Sequence, residues 1–314
     1  MTDLHIKQMQ PQARQQSKII AVINKNYIND YISPEIVRGI ESKLNEHGYS
    51  ILLLSTSNDF NKEAEALAQA VDNQVGGIIV EPTLVTHENP NLHRYYSIIE
   101  QQIPLIMVTS YYAELGTPSV TVNNMEGAII AIQHLIDLGH RRIGGLLPAD
   151  NWQGKFRLKG FMHSLLQNNI PFDADLLFLY DNLVMASNNS VKRAEMFQRY
   201  AQFIASLPNF KKPSAIACFN DEVAFLLIKE LHQFSIRVPE DLSIIGFDDS
   251  YLAESNEPKL TTIKHPIYKM GIKTAEMLLQ AIDNKNNDRG LYTNIDDYVF
   301  STKLIVRDST RPVS

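Results

Sequence analysis

Short polar clusters recur along this 314-residue sequence, each directly after a run of apolar residues. Asn24, Lys25, Asn26, Tyr27, Asp30 and Tyr31 follow IIAVI, and Glu81 ends VGGIIVE. Thr109, Ser110, Tyr111 and Tyr112 follow PLIMV, while Asp150, Asn151, Trp152 and Gln153 follow RIGGLL, with Arg157 one helical turn further on. Phe219, Asn220 and Asp221 end another run, and Phe247, Asp248 and Asp249 end the last. Carboxylates (Glu81, Asp248), a guanidinium (Arg157), amides (Asn151, Gln153, Asn220) and aromatic rings (Tyr27, Tyr31, Tyr111, Trp152) form a set suited to carbohydrate. A sugar hydroxyl both donates and accepts, so planar Asp, Asn and Arg groups bridge neighbouring hydroxyls, and the C–H face of a pyranose packs on a ring. Each cluster also has a local reading. Asn220-Asp221 and Ser33-Pro34 suit helix starts, Asp248-Asp249-Ser250 suits a turn, and Trp152 suits a loop anchor.

Other chemistries lack their signatures. There is no P-loop, G-x-G-x-x-G, G-x-S-x-G, H-E-x-x-H or C-x-x-C pattern. His134 and His140 lie six apart, the wrong spacing for two metal ligands on one helical face. The single cysteine, Cys218, sits in an apolar run and reads as a small core residue. No metal site and no cofactor is expected. Glu81 and Asp248 on facing lobes would suit a glycosidase acid/base pair, which keeps an enzyme as an alternative.

The elements that must position these residues are apolar runs at 19–23, 50–55, 75–81, 104–109, 119–123, 142–147, 214–219 and 242–247. They lack strict alternation, as strands covered on both faces do. Between them lie amphipathic helical repeats such as Ile36, Ile40, Leu44 and Ala224, Leu227, Ile228, Leu231. The alternation predicts an α/β fold of doubly wound parallel sheets. So many strands fit two sheets better than one, and ligands of such sheets bind beyond the carboxyl ends of the strands. Hydrophobic residues at 44% suffice for two cores. Twenty-nine basic against 35 acidic residues give a net charge of −6 and no global basic face for nucleic acid. No apolar run is long enough to span a membrane and no export signal is visible. The expectation is a cytoplasmic protein with a polar linker over residues 1–17.

RGIESKLNEHGYSILL, VGGIIVEP, LIDLGHRRIGGLL, RLKGF, FNDEVA, VPEDLSIIGFDDS and LTTIKHP resemble, in order, the effector-binding domain of the LacI/GalR family. Within that family, YINDYISPEIVRGIES, IIVEPT and SYYAEL are similar to the branch that responds to L-arabinose and joins this module to a GntR-type winged helix-turn-helix. The resemblance implies a periplasmic-binding-protein type I fold, a sugar effector, a homodimer and operator DNA bound only through a separate N-terminal domain. About 18 residues precede the first strand, too few for such a domain, so it is expected to lie outside this chain. The resemblance also implies pocket positions at Arg157, Asn220, Asp248, Asn151 and Gln153, and at Asp30, Tyr31, Ser33 and Thr109 to Tyr111. Trp152, Glu81 and Lys25 are added for their places at strand ends. Three crossings between lobes are implied near residues 123, 264 and 297. That places 18–122 plus 265–296 in one lobe, 123–264 plus 297–310 in the other, and 311–314 in a tail. A transport-type sugar-binding protein and a purine-responsive regulator share the fold and remain alternatives.

Overall fold

The computed structural model describes residues 17–25, 32–181, 185, 190–255 and 257–313. Two parallel sheets form the two lobes. In the first, strands β1 (Ile19–Asn24), β2 (Ser50–Ser55), β3 (Gly77–Val80), β4 (Leu105–Val108) and β5 (Ser119–Val122) are joined by β11 (Tyr298–Phe300), in the order β11-β5-β4-β3-β1-β2. In the second, β6 (Ile143–Pro148), β7 (Leu177–Tyr180), β8 (Ala215–Cys218) and β9 (Ser243–Ile245) run β7-β6-β8-β9. A short antiparallel pair, β10 (Thr262–Lys264) and β12 (Lys303–Ile305), lies beside the second sheet and bridges to it at Ile245 and Asp248.

The central strands of both sheets are buried on both faces, as the non-alternating apolar runs predict. On β1, Ile20 and Val22 join the core under α1 (Ile32–Asn45) and the long returning helix, whereas Ala21 and Ile23 face α2 (Phe60–Asp72) and α3 (Leu92–Glu100). On β8, Ile216 and Cys218 pack toward α6 (Ser190–Ser206) and α7 (Asp221–Gln233). Ala215 and Ala217 pack toward α4 (Asn124–Asp137) and α5 (Trp152–Gln167). Two further helices are α8 (Tyr251–Ser255) and α9 (Ile267–Asn286). Helix α9 crosses back to the first lobe and lies against α1 so closely that a methyl on Gly271 would sit 2.1 Å from the Ile36 carbonyl oxygen. Only hydrogen fits there.

The chain passes between lobes after β5, after β10 and between β11 and β12. Asn123 N–H donates to the Phe300 carbonyl at 2.9 Å, so the first and third passages run side by side. The third passage corrects the expected boundary at 297. Residues 298–300 pair in parallel with β5, because the Asp297 carboxylate accepts from both the backbone N–H and the hydroxyl of Ser119 at 2.8 Å. Nor do the described residues 311–313 form a tail. Val313 N–H donates to Leu138 O at 2.9 Å, and the Arg311 carbonyl pairs with His140 Nε2 at 3.1 Å. The first bond satisfies a carbonyl at the open end of α4. No helix of the described residues is long and apolar enough to cross a membrane.

Candidate ligand-binding cleft

The strand orders place the clusters at one locus. Chain order reverses beside β1 in the first sheet and beside β6 in the second, and the carboxyl ends of strands at such switch points open a crevice. Between the two lobes lies a cleft of about 200 Å³, below the roughly 300–1,000 Å³ of pockets for drug-sized molecules. Lys25, Glu81 and Thr109 line it from the first lobe, and Asn151, Trp152, Gln153, Arg157 and Asn220 from the second. Asp30 and Tyr31 lie outside the described residues.

On the first wall Glu81 is the organising group. Its Oε2 accepts from Asn24 Nδ2 at 3.1 Å, Ser33 Oγ at 3.2 Å and the Lys25 N–H at 3.4 Å. Its Oε1 accepts from Thr109 Oγ1 at 3.2 Å, and Lys25 Nζ stands 3.7 Å away. The carboxylate therefore gathers the ends of β1, β3 and β4 and the start of α1. Ser33, which the sequence presents as a helix start, lies inside α1 with its hydroxyl on Glu81. Thr109 holds φ +68°, an uncommon conformation for a β-branched residue.

On the second wall Arg157 is 5% exposed and lies between rings. Its guanidinium carbon is 3.5 Å from the Phe247 ring centre and 4.5 Å from that of Phe219. Nε donates to Asn124 Oδ1 at 3.0 Å, Nη1 donates to the Phe219 carbonyl, and Nη2 stands 3.6 Å from Asp248 Oδ1. Asp248 is 1% exposed and sits behind this wall rather than on it, with Oδ1 also 3.3 Å from His265 Nδ1. A direct ligand contact is thus not its visible task; it braces Arg157 and His265.

Asn151 and Asn220 satisfy their local and their cleft readings together. Asn151 Oδ1 caps α5 by accepting from Gly154 N–H, and Asn220 Oδ1 caps α7 by accepting from Val223 N–H, both at 3.0 Å. Each carboxamide oxygen is thereby committed, and each NH₂ makes no hydrogen bond among the described residues. Those NH₂ groups are donors held in orientation by a cap. Trp152 lines the cleft and packs on Phe156 at 4.7 Å between centroids. Tyr111 is not a lining residue; its ring meets Trp152 edge-on at 5.7 Å, joining the two lobes.

Several lining residues were not among the expected pocket positions: His265, Phe219, Tyr180, Asp150, Glu222 and Asn58. His265 lies in the LTTIKHP segment, and Phe219 and Asp150 stand at strand ends, so a signal existed for these. Tyr180 ends the half-exposed edge strand β7, whose pattern carries none. Burial holds the Tyr180 phenol proton well above its ordinary range. The cleft's cations face anions: Lys25 is near Glu81, and Arg157 near Asp248. Among the described residues no His, Cys, Asp and Glu cluster could hold a metal ion.

Residues 132–310 match the family model described as a periplasmic binding protein-like domain. The chain is 37% identical over 308 residues to the arabinose metabolism transcriptional repressor of Geobacillus stearothermophilus, covering 98% of this chain and 81% of that protein. It is 36% identical over 303 residues to the protein of the same name from Halalkalibacterium halodurans, covering 96% and 78%. Among solved structures, a periplasmic binding protein/LacI transcriptional regulator from Alkaliphilus metalliredigens complexed with D-xylulofuranose superposes with a TM-score of 0.76. It is 25% identical, over 95% of this chain and all of that one.

Proposed function

The chain belongs to the periplasmic binding protein-like family, as the effector-binding domain of a LacI-family transcriptional repressor, and from that premise we propose that it binds L-arabinose between its lobes. The bound sugar releases the full-length repressor from operator DNA. The observation that carries the sugar reading is the balance of charge in the cleft. Both cations are matched by a carboxylate of their own wall, so an anionic ligand finds no uncompensated cation there. A ligand there meets oriented neutral donors, Asn151 and Asn220, beside the Trp152 ring. An uncharged polyol suits that set. The pentose reading is supported by the names of two relatives, both arabinose metabolism repressors.

In this reading the sugar bridges the lobes and favours the closed form only by its greater affinity for that form. In a cytoplasmic homodimer packed through first-lobe helices, closure changes the spacing of the attached DNA-binding domains. Sugar and operator then oppose each other through one reciprocal coupling free energy, typically about 1–3 kcal/mol. No covalent step and no cofactor is required. The glycosidase alternative is disfavoured because both Glu81 oxygens already accept from their own wall, leaving a poor acid or base.

A thermal-shift screen over pentoses and hexoses tests this, since a ligand that binds the native state raises its melting temperature by mass action. A shift with L-arabinose well above that of its epimers is the expected result. Equal shifts, or none, overturn the assignment of the sugar. Release of product from an aryl arabinoside overturns the sensor reading itself.

A further inference from the structure

One buried carboxylate lies beneath the cleft without lining it. Asp221 opens α7 and is wholly buried, with no ion-pair partner among the described residues. Its Oδ2 accepts from the N–H and the hydroxyl of Ser250 at 2.8 and 3.0 Å, and its Oδ1 accepts from the Thr262 hydroxyl at 2.6 Å. Its own N–H donates to the Phe247 carbonyl at 2.9 Å. The turn closes so tightly on this carboxylate that a methyl on Gly246 would lie 2.3 Å from Asp221 Oδ1. The 246–250 turn and strand β10 are thus held by one side chain.

That turn is strained. Asp248 holds φ +109° and Asp249 φ +54°, and non-glycine residues keep such angles only where their surroundings over-determine them. The strained residue, Asp248, is the one that braces Arg157 and His265. Burying a carboxylate without a cation is costly. Loss of water, with the negative charge of Asp248 adding to it, pushes the Asp221 carboxyl up to about 7 against its three hydrogen bonds. Three donors converge on it, and a carboxamide offers only one acceptor atom to meet them.

We propose that Asp221 is a positioning residue of the sugar site, fixing the 246–250 turn so that Asp248 holds Arg157 and His265 against the cleft. The ligand rests on the function proposed above; the placement of Asp248 does not.

The test uses Asp221→Asn in the intact chain, with Ser250→Ala and Thr262→Val as milder versions that remove one donor each. Calorimetric affinity for L-arabinose should fall by about tenfold in Asp221→Asn, and less in the other two. In an Asp248→Ala background the same change should add nothing, because Asp221 acts through Asp248. The ring-nitrogen NMR signals of His265 should move in all three variants without any sugar present. Unmoved His265 signals overturn the proposal, as do affinity losses that add fully in the double variant. Should the unsubstituted protein bind no pentose, the reading of the ligand fails and the His265 signals still decide the role of Asp221. Should Asp221→Asn not fold, Ser250→Ala and Thr262→Val report through the same signals.

Discussion

Thr86 Oγ1 donates a 2.6 Å hydrogen bond to the carbonyl oxygen of Asp150, fastening the first lobe to the second beside the cleft. The Tyr111–Trp152 ring contact is a second such fastening. Both contacts join one lobe to the other and favour the arrangement in which they meet. Replacing Thr86 with Val keeps the shape and removes the bond, a loss of about 1 kcal/mol or roughly fivefold in an equilibrium. Small-angle scattering should show a more open unliganded protein, and sugar affinity should fall by a similar factor. An unchanged radius of gyration and affinity would show that the contact does not bias closure.

Removing either partner of the Arg157–Asp248 pair should be expensive. Both groups are buried, and truncating one leaves the other charged and uncompensated, typically a loss of about 3–5 kcal/mol. Arg157→Ala or Asp248→Ala should therefore weaken sugar binding by at least about tenfold and also lower the denaturation midpoint. Arg157→Lys should not restore affinity, because an ammonium cannot lie flat between Phe219 and Phe247 while donating to Asn124. Calorimetry on the three variants checks this.

The raised carboxyl of Asp221 predicts a pH dependence with opposite signs for stability and binding. From about pH 4 to about 7 the folded chain keeps a proton that the unfolded chain has lost. Native protein then binds more protons than unfolded, so this residue's contribution to stability rises as pH falls through 7 and is complete below about 4. Denaturation of the unsubstituted protein and Asp221→Asn at several pH values should show the difference between them moving in favour of the unsubstituted protein toward acid. Sugar affinity should move the other way, because only the carboxylate form accepts from all three donors. Asp248, Asp249 and His265 face the same turn, and subtracting the Asn variant isolates Asp221 from them.

Cys218 is buried in β8, and burial pushes its thiol far above the ordinary range. A thiol held protonated in a core is a poor nucleophile. An aromatic disulfide reagent should leave the native protein unlabelled over hours and label one thiol on addition of denaturant. Rapid labelling of the native protein would show that the second lobe opens more readily than its packing implies.

Much of this architecture is legible in the sequence. The run at 50–55 coincides with β2, and the runs at 19–23 and 242–247 lie within a residue or two of β1 and β9, because strands of a covered parallel sheet read as short continuous apolar runs. Two edge strands, β7 and β11, were not legible. Residues 177–180 and 298–300 are half exposed, and their pairing depends on a neighbour far away in the chain. In the cleft, Arg157, Asn151, Gln153 and Asn220 could be named from their places after apolar runs. That Asp248 lies behind Arg157, and that Tyr111 reaches Trp152 instead of the cleft, could not.

The amino-acid sequence alone determined which residues close the apolar strands and open the helices that follow them, since apolar periodicity and caps are properties of neighbouring residues. It thereby determined the chemical inventory of the cleft. The tertiary structure alone decided the strand orders, the passage of the third crossover beyond Phe300, and the role of Glu81 as the acceptor that ties its wall together. Those outcomes depend on pairings between residues tens of positions apart, selected by which sheet edge and which buried donor each segment meets when the chain packs.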